Sequence, residues 1–372
     1  MRKKLIIGLL VVAGLVPMAM VFSSTGNTND AQLPLNLPKV PPKVVELSKT
    51  LGCPSSQDPL VCLDSRIEDI YKNSGVSGLV STINDWKLYV GTDGLPCHRL
   101  THIAGKRAAE VRDVKSVALE SLETKDLCAN GFFHGVVEGM STKSKGKDLV
   151  SALEDLCNSV GDLKNDCVHS SGHSFAMDQP NNPMGALRMC DAFDSASDLC
   201  GAGVFMTFGR GIPGFEQEGS ARWIKYTPEI AKTLCNDVPS KHSASCWFQL
   251  WIAYQEDPNL GGVDVYKTLC PSPSGDEIKD PKDAFKYCYR GLGMLYMQRG
   301  AVEPRQVSNL CPKDEYAHYW CVFAIGWEFM NDHYLAVNST DGYKSPCGEL
   351  SSKDEEICKE GEEYALVPGD GL

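Results

Sequence analysis

The chain has 372 residues, enough to bury a core unaided, with 42% hydrophobic and 23% charged side chains. That balance excludes wholesale disorder and a multi-span membrane protein. A formal charge of -12, from 36 Lys+Arg against 48 Asp+Glu, leaves no surplus for a large basic face and excludes nucleic acid as a partner.

In chain order, Arg2, Lys3 and Lys4 precede an uncharged apolar run from Leu5 to Phe22, the pattern of an export signal. The run admits cleavage near Ser23 and Ser24, or retention as an anchor; either places everything after Phe22 outside the cytoplasm. Residues 1–24 are thus a signal peptide or anchor and the only expected membrane contact. Residues 25–45, with Pro34, Pro38, Pro41 and Pro42, read as an extended linker. Residues 46–360 are expected to form a helical repeat domain, followed by an acidic tail over 361–372.

All 16 cysteines lie between Cys53 and Cys358, and no two are spaced C-x-x-C. The missing motif excludes c-type haem attachment, thioredoxin-like redox chemistry and zinc ribbons. An even number in an exported chain makes disulfides the expected assignment. Their order exposes a recurring unit: an amphipathic segment ends at one cysteine, a polar loop follows, and a second cysteine opens another apolar segment. First cysteines Cys157, Cys190, Cys235, Cys270 and Cys311 are expected to pair with Cys167, Cys200, Cys246, Cys288 and Cys321. Cys53 with Cys62 and Cys347 with Cys358 fit as terminal units, leaving Cys97 for Cys128. A small residue often stands three places after the second cysteine, where it would let neighbouring helices approach closely. Second cysteines recur every 33 to 46 residues, the size of a two-helix solenoid unit. The expected fold is therefore all-α, a disulfide-stapled α-solenoid.

The histidines are distributed differently. Five of the eight fall in residues 97–177, as H-x-x-x-H at His98 and His102, H-x-x-x-E at His134 and Glu138, and H-x-x-x-H at His169 and His173. Residues four apart share one helix face, so three adjacent helices can aim six donors at one region. His134 and His173 each stand six places after their cysteine; in later units that position holds Met206, Ile252, Met294 and Trp327. For His98 and His102 the register is shifted by one residue. The competing readings are a hydrogen-bonded polar core and exposed histidines, but random scatter of eight histidines would give far fewer than one such pair. His242, His318 and His333 have no comparable partners and read as structural. Asp166 and Asp178 read as solvated or capping residues that could also orient a ligand. Trp247, Phe248, Trp251 and Tyr254 have core spacing.

Imidazoles with one carboxylate suit iron, copper or zinc and are too nitrogen-rich for calcium or magnesium. Six ligands suggest two ions, and a carboxylate in a helical histidine cage places non-haem iron first, copper second and zinc third. Glu138 is a ligand or a general base beside the metal. The expected function is an extracytoplasmic oxidoreductase acting on a small molecule such as dioxygen, peroxide, hydroxylamine or a nitrogen oxide, with an extracytoplasmic electron-transfer protein as a possible partner. The alternative is a membrane-tethered binding or docking module whose metal is structural. Asn338 opens an Asn-Ser-Thr glycosylation acceptor.

Overall fold

The computed structural model describes residues 42–90, 95–121, 128, 130–180, 182–210, 228–249, 251, 269–271, 281–298, 304–337 and 342–366. They form α-helices and short 3-10 turns, with no strand among them. The helices are α1 (Pro42–Thr50), α2 (Pro59–Val90), α3 (Leu95–Val111), α4 (Val114–Glu120), α5 (Gly131–Gly139), α6 (Gly146–Cys157), α7 (Lys164–Asp178) and α8 (Pro183–Cys190). They continue as α9 (Ser197–Arg210), α10 (Pro228–Asp237), α11 (Ser243–Gln249), α12 (Pro281–Gln298), α13 (Pro304–Leu310), α14 (Glu315–Val337) and α15 (Ser352–Ala365).

Local chemistry sets several of these starts. Asp113 accepts from Ser116 N at the head of α4, and Ser351 accepts from Asp354 N at the head of α15. Asn182 caps α8, with Pro183 in the first turn where a missing N–H costs nothing. Two expected boundaries move. Pro42 opens α1 inside the expected linker, because proline is preorganised for a first helical turn. The expected tail also begins too early: α15 runs to Ala365, and Gly361 is buried against Phe323, where an added Cβ would lie 2.0 Å from the carbonyl oxygen. The expected signal or anchor, nearly all of the linker, Tyr254 and Asn338 lie outside the described residues. No described helix is long and apolar enough to cross a membrane.

Packing follows chain order. Helices α1, α2, α3, α5, α7, α9, α11, α12, α14 and α15 each lie against the next in that series, while α4, α6, α8, α10 and α13 sit beside the helix that follows them. The core runs along these contacts through Leu63, Ile83, Leu100, Phe132, Phe175, Trp247 and Trp251. All eight expected disulfides are formed, including Cys97–Cys128, and no cysteine is free. Bridges such as Cys157–Cys167 and Cys190–Cys200 tie the end of a short helix to the first turn of the next long one. Each closure of about ten residues removes roughly 3 kcal/mol of unfolded-chain entropy. Disulfides in this number suit an oxidising, extracytoplasmic environment.

The small residues expected after the second cysteine are points of backbone contact. Gly203, Gly291 and Gly361 stand three places after Cys200, Cys288 and Cys358, and each faces a carbonyl of the preceding long helix, from His169, Phe248 and Phe323 respectively. Between α3 and α5 the approach is made from both sides: a Cβ on Gly135 would lie 1.9 Å from the His102 carbonyl oxygen, and one on Gly105 would lie 1.9 Å from that of Phe132. Two of the three helices that carry the histidines, α3 and α5, are therefore held backbone to backbone.

Candidate metal centre

Helix α3 presents His98, His102 and Lys106 at four-residue intervals; α5 presents His134 and Glu138; α7 presents His169 and His173. Because α3 packs on α5 and α5 on α7, the five imidazoles meet in one continuous cluster. Ring centroids lie 5.6 Å apart for His98 and His102, 5.1 Å for His98 and His134, 5.9 Å for His134 and His169, and 4.9 Å for His169 and His173. His134, Glu138 and His173 are buried, and the other three histidines are half-buried, so the cluster spans the boundary between core and surface.

Several ring nitrogens are committed to fixed acceptors. His98 Nδ1 lies 2.9 Å from the Cys128 carbonyl oxygen, which can only accept, so Nδ1 carries the proton and Nε2 the lone pair. His173 Nδ1 lies 2.6 Å from Thr207 Oγ1, whose own proton goes to the Gly203 carbonyl; Nε2 of His173 is left as the basic nitrogen. His134 Nε2 donates to Asp166 Oδ1 at 3.4 Å, leaving Nδ1 as its lone-pair atom. Histidines that bind metals are oriented by outer hydrogen bonds of this kind.

The carboxylates divide by role. Asp166 is half-buried, and burial alone would raise its carboxyl. Hydrogen bonds from His134 and Asn130 and the nearby imidazole charges outweigh that and hold it below the usual range. It orients its neighbours, the less favoured of its two expected roles, whereas Asp178 accepts from Gly146 N at the head of α6 and is a cap. Glu138 is only 2% exposed; its Oε1 lies 3.0 Å from His102 Nε2, and its Oε2 is buried with no hydrogen-bond partner. An unsatisfied buried carboxylate oxygen is costly unless something cationic reaches it. Beside it, burial lowers the Lys106 ammonium to about 8, against the pull of the Glu138 charge.

Two non-glycine residues next to the cluster, Cys128 and Asn130, hold left-handed backbone at φ 53° and 56°. Such residues cost about 1–2 kcal/mol each, and here they place the carbonyl that accepts from His98 and the amide that donates to Asp166.

The six expected ligands are brought together as neighbours and hydrogen-bonded pairs, not as a closed shell. Among the described residues, the one set of three potential donor atoms within 4.8 Å of one another is Cys347, Cys358 and Glu362. Those cysteines are disulfide-bonded and carry no thiolate, and Glu362 Oε1 accepts from Tyr343 and Ser345, so that cluster is structural. Of the remaining histidines, His318 bridges the Pro312 carbonyl and Asp354, and His242 is buried. His333 lies on α14, with its side chain outside the described residues. Trp247, Phe248 and Trp251 are core, as their spacing indicates.

Asn130, Thr207 and Lys106 were not singled out from the sequence. Lys106 had a readable signal, since it continues the four-residue interval of His98 and His102; Thr207 and Asn130 act across helix pairs that only the packing reveals.

The fold and site define an all-α, disulfide-stapled protein with a half-buried histidine and carboxylate cluster on three adjacent helices. Comparison with protein-family models, with curated proteins and with solved structures finds no match.

Proposed function

We propose that the chain is an extracytoplasmic metalloprotein and an oxidoreductase, in which His98, His102, His134, Glu138, His169 and His173 hold a dinuclear transition-metal centre. The observation that carries this reading is the orphaned, buried Oε2 of Glu138 amid five imidazoles, three of which have a ring nitrogen pinned by Cys128, Thr207 or Asp166. A cation supplies what that oxygen lacks. The cluster divides into a set on α3 and α5, with His98, His102 and Glu138, and a set on α7, with His169 and His173; His134 stands between them. His102 and Glu138, now hydrogen-bonded to each other, are the residues that would both serve as ligands to a bound cation. Non-haem iron is favoured over copper and zinc because a carboxylate joins a nitrogen-rich helical cage. Roughly three protein ligands per ion leave positions open for a small oxidant or reductant.

In this reading the body is an α-solenoid of disulfide-closed helix pairs, supported by the glycine-to-carbonyl contact that recurs three places after Cys128, Cys200, Cys288 and Cys358. The N-terminal segment delivers it, cleaved or anchored, to the extracytoplasmic side, where an electron-transfer protein would exchange electrons with the centre.

The test is elemental analysis and electron paramagnetic resonance on protein exported to an oxidising compartment. About two ions per chain are expected. His134→Ala and His173→Ala should each empty the centre, and His318→Ala should leave it loaded. Folded wild-type protein that carries no metal, and takes up none from ferrous, cupric or zinc salts, overturns the proposal.

A further inference from the structure

The face that carries histidines in the N-terminal half carries a single cation inside aromatic rings in the C-terminal half. Arg290 stands two places after Cys288, the position His169 holds relative to Cys167. The same two-place position supplies Phe248 and Phe323, and the six-place position supplies Trp327 and Tyr364. Tyr287 completes the enclosure. The guanidinium carbon lies 5.2 Å from the Trp327 ring centroid, 5.4 Å from those of Tyr287 and Tyr364, 5.5 Å from Phe323 and 5.8 Å from Phe248.

Arg290 is fully buried, its Nε, Nη1 and Nη2 atoms make no hydrogen bond of normal geometry, and the Tyr364 hydroxyl is the neutral acceptor within its reach. Ring faces answer part of its charge through cation–π attraction, but they offer no lone pair to five N–H donors. A buried charge without a hydrogen-bonding counter-ion is among the most costly features a fold can hold. Burial lowers the Arg290 pKa, with the phenols of Tyr287 and Tyr364 pulling the other way, and the side chain stays a cation because its ordinary value is so high. Among the described residues, no carboxylate acts on it to balance the charge.

The surroundings limit which anion. One fixed cation balances one negative charge, and its planar fork matches a carboxylate in a two-point contact. The walls are rings, which suit an apolar body and do not offer the several donors a phosphate dianion requires. Phe248, Phe323 and Trp327 are buried, whereas Tyr287, Trp320 and Tyr364 are half-buried, so the cation lies one layer below the surface beneath an aromatic rim. At that rim, Trp320 Nε1 is a second buried donor without a partner, and Lys286 Nζ stacks 4.6 Å over the Trp320 ring.

We propose that Arg290 and the rings of Phe248, Tyr287, Phe323, Trp327 and Tyr364 form a receptor for the carboxylate of a small aromatic or apolar organic acid. This site is separate from the histidine cluster and does not rest on its metal.

The full chain supplies its own reporter, since Trp327 borders the guanidinium. Tryptophan emission should respond saturably to benzoate, with one site per chain, and about tenfold or more weaker to the neutral isostere benzamide and to inorganic phosphate. Arg290→Lys keeps the charge but loses the fork and should weaken benzoate by about tenfold. Arg290→Met should abolish the response while melting no lower than wild type, because it removes a buried unpaired charge. The proposal is overturned if wild-type protein shows no saturable response to about 10 mM benzoate, if phosphate or benzamide binds as tightly, or if Arg290→Met retains the wild-type affinity. Should Arg290→Met fail to fold, the wild-type selectivity and the Arg290→Lys comparison still decide.

Discussion

Replacing Gly135 by alanine adds one methyl group where α3 and α5 cross, and the structure makes the consequence quantitative. The new Cβ would lie 1.9 Å from the His102 carbonyl oxygen and 2.8 Å from both its carbonyl carbon and Lys106 N. All three obstacles are backbone, so no side chain can swing away. Ordinary contact at about 3.4 Å requires the two helices to separate locally by more than an ångström. Overpacking a tight core costs about 1–3 kcal/mol, and a backbone clash belongs at the upper end. For a domain of more than 300 residues that is a fall in melting temperature of roughly 4–5 °C. Separation also carries His98 and His102 away from His134 and Glu138, so metal content should fall further than the loss of stability alone implies. Gly348→Ala is the matched control, because nothing lies within 4 Å of its added methyl and its backbone is not left-handed. Circular-dichroism melting and metal content measured together test both effects. A Gly135→Ala protein that melts like wild type and carries its full complement of metal would refute the reasoning.

Two further outcomes follow from groups outside the centre. Burial pushes the Asp198 carboxyl from 3.8 up to about 6, despite its hydrogen bond from Ser245. The fold therefore holds a proton that the unfolded chain releases, and stability is gained as pH falls from 6 toward 3.8, by roughly 3 kcal/mol at most. Burial lowers His242 from 6.5 to about 4, so the unfolded chain takes up the proton first and a similar amount is lost as pH falls from 6.5 toward 4. The two oppose each other over one window: Asp198→Asn should make melting temperature fall steeply on acidification, and His242→Asn should make it rise relative to wild type. Identical pH profiles for both variants and wild type would exclude this coupling. Among the disulfides, Cys97–Cys128 closes a separation of 31 and fixes the carbonyl that orients His98, whereas Cys311–Cys321 closes only 10 far along the chain. Replacing either pair by alanine should lower stability by about 3–4 kcal/mol in denaturant titrations, but only loss of the first should also strip metal.

What the sequence exposed was local or periodic. Cysteine spacing carried the disulfide pairing because each bridge but two closes a separation of 9 to 11 residues, and its unit already contains both partners. The histidine face was legible because four-residue intervals map directly onto one side of a helix. The two displaced boundaries failed for opposite reasons. Pro42 looked like linker because it follows another proline, yet it occupies a first helical turn. Gly361 sits among glutamates and looked like the start of a tail, yet its missing side chain is what allows contact with α14. The orienting partners were hidden because Asp166 serves His134 on α5, and Thr207 on α9 serves His173 on α7. Such pairs are readable only once the order of helix packing is known.

Arg290 makes the same point more sharply. In the sequence it is an unremarked basic residue on an amphipathic segment, the kind usually solvated. Its significance arises only because the two-place and six-place positions of neighbouring helices converge: in one half of the chain they bring imidazoles together, and in the other they surround a guanidinium with rings. One helix geometry thus yields two polar sites with opposite demands. Glu138 offers an unsatisfied oxygen and calls for a cation; Arg290 offers unsatisfied N–H groups and calls for an anion. Both are buried on the same repeating face, where an apolar side chain would have cost the fold less. A chain already closed by eight disulfides has stability to set against such charges, which ties the cysteines to the sites they flank without giving them any part in the chemistry.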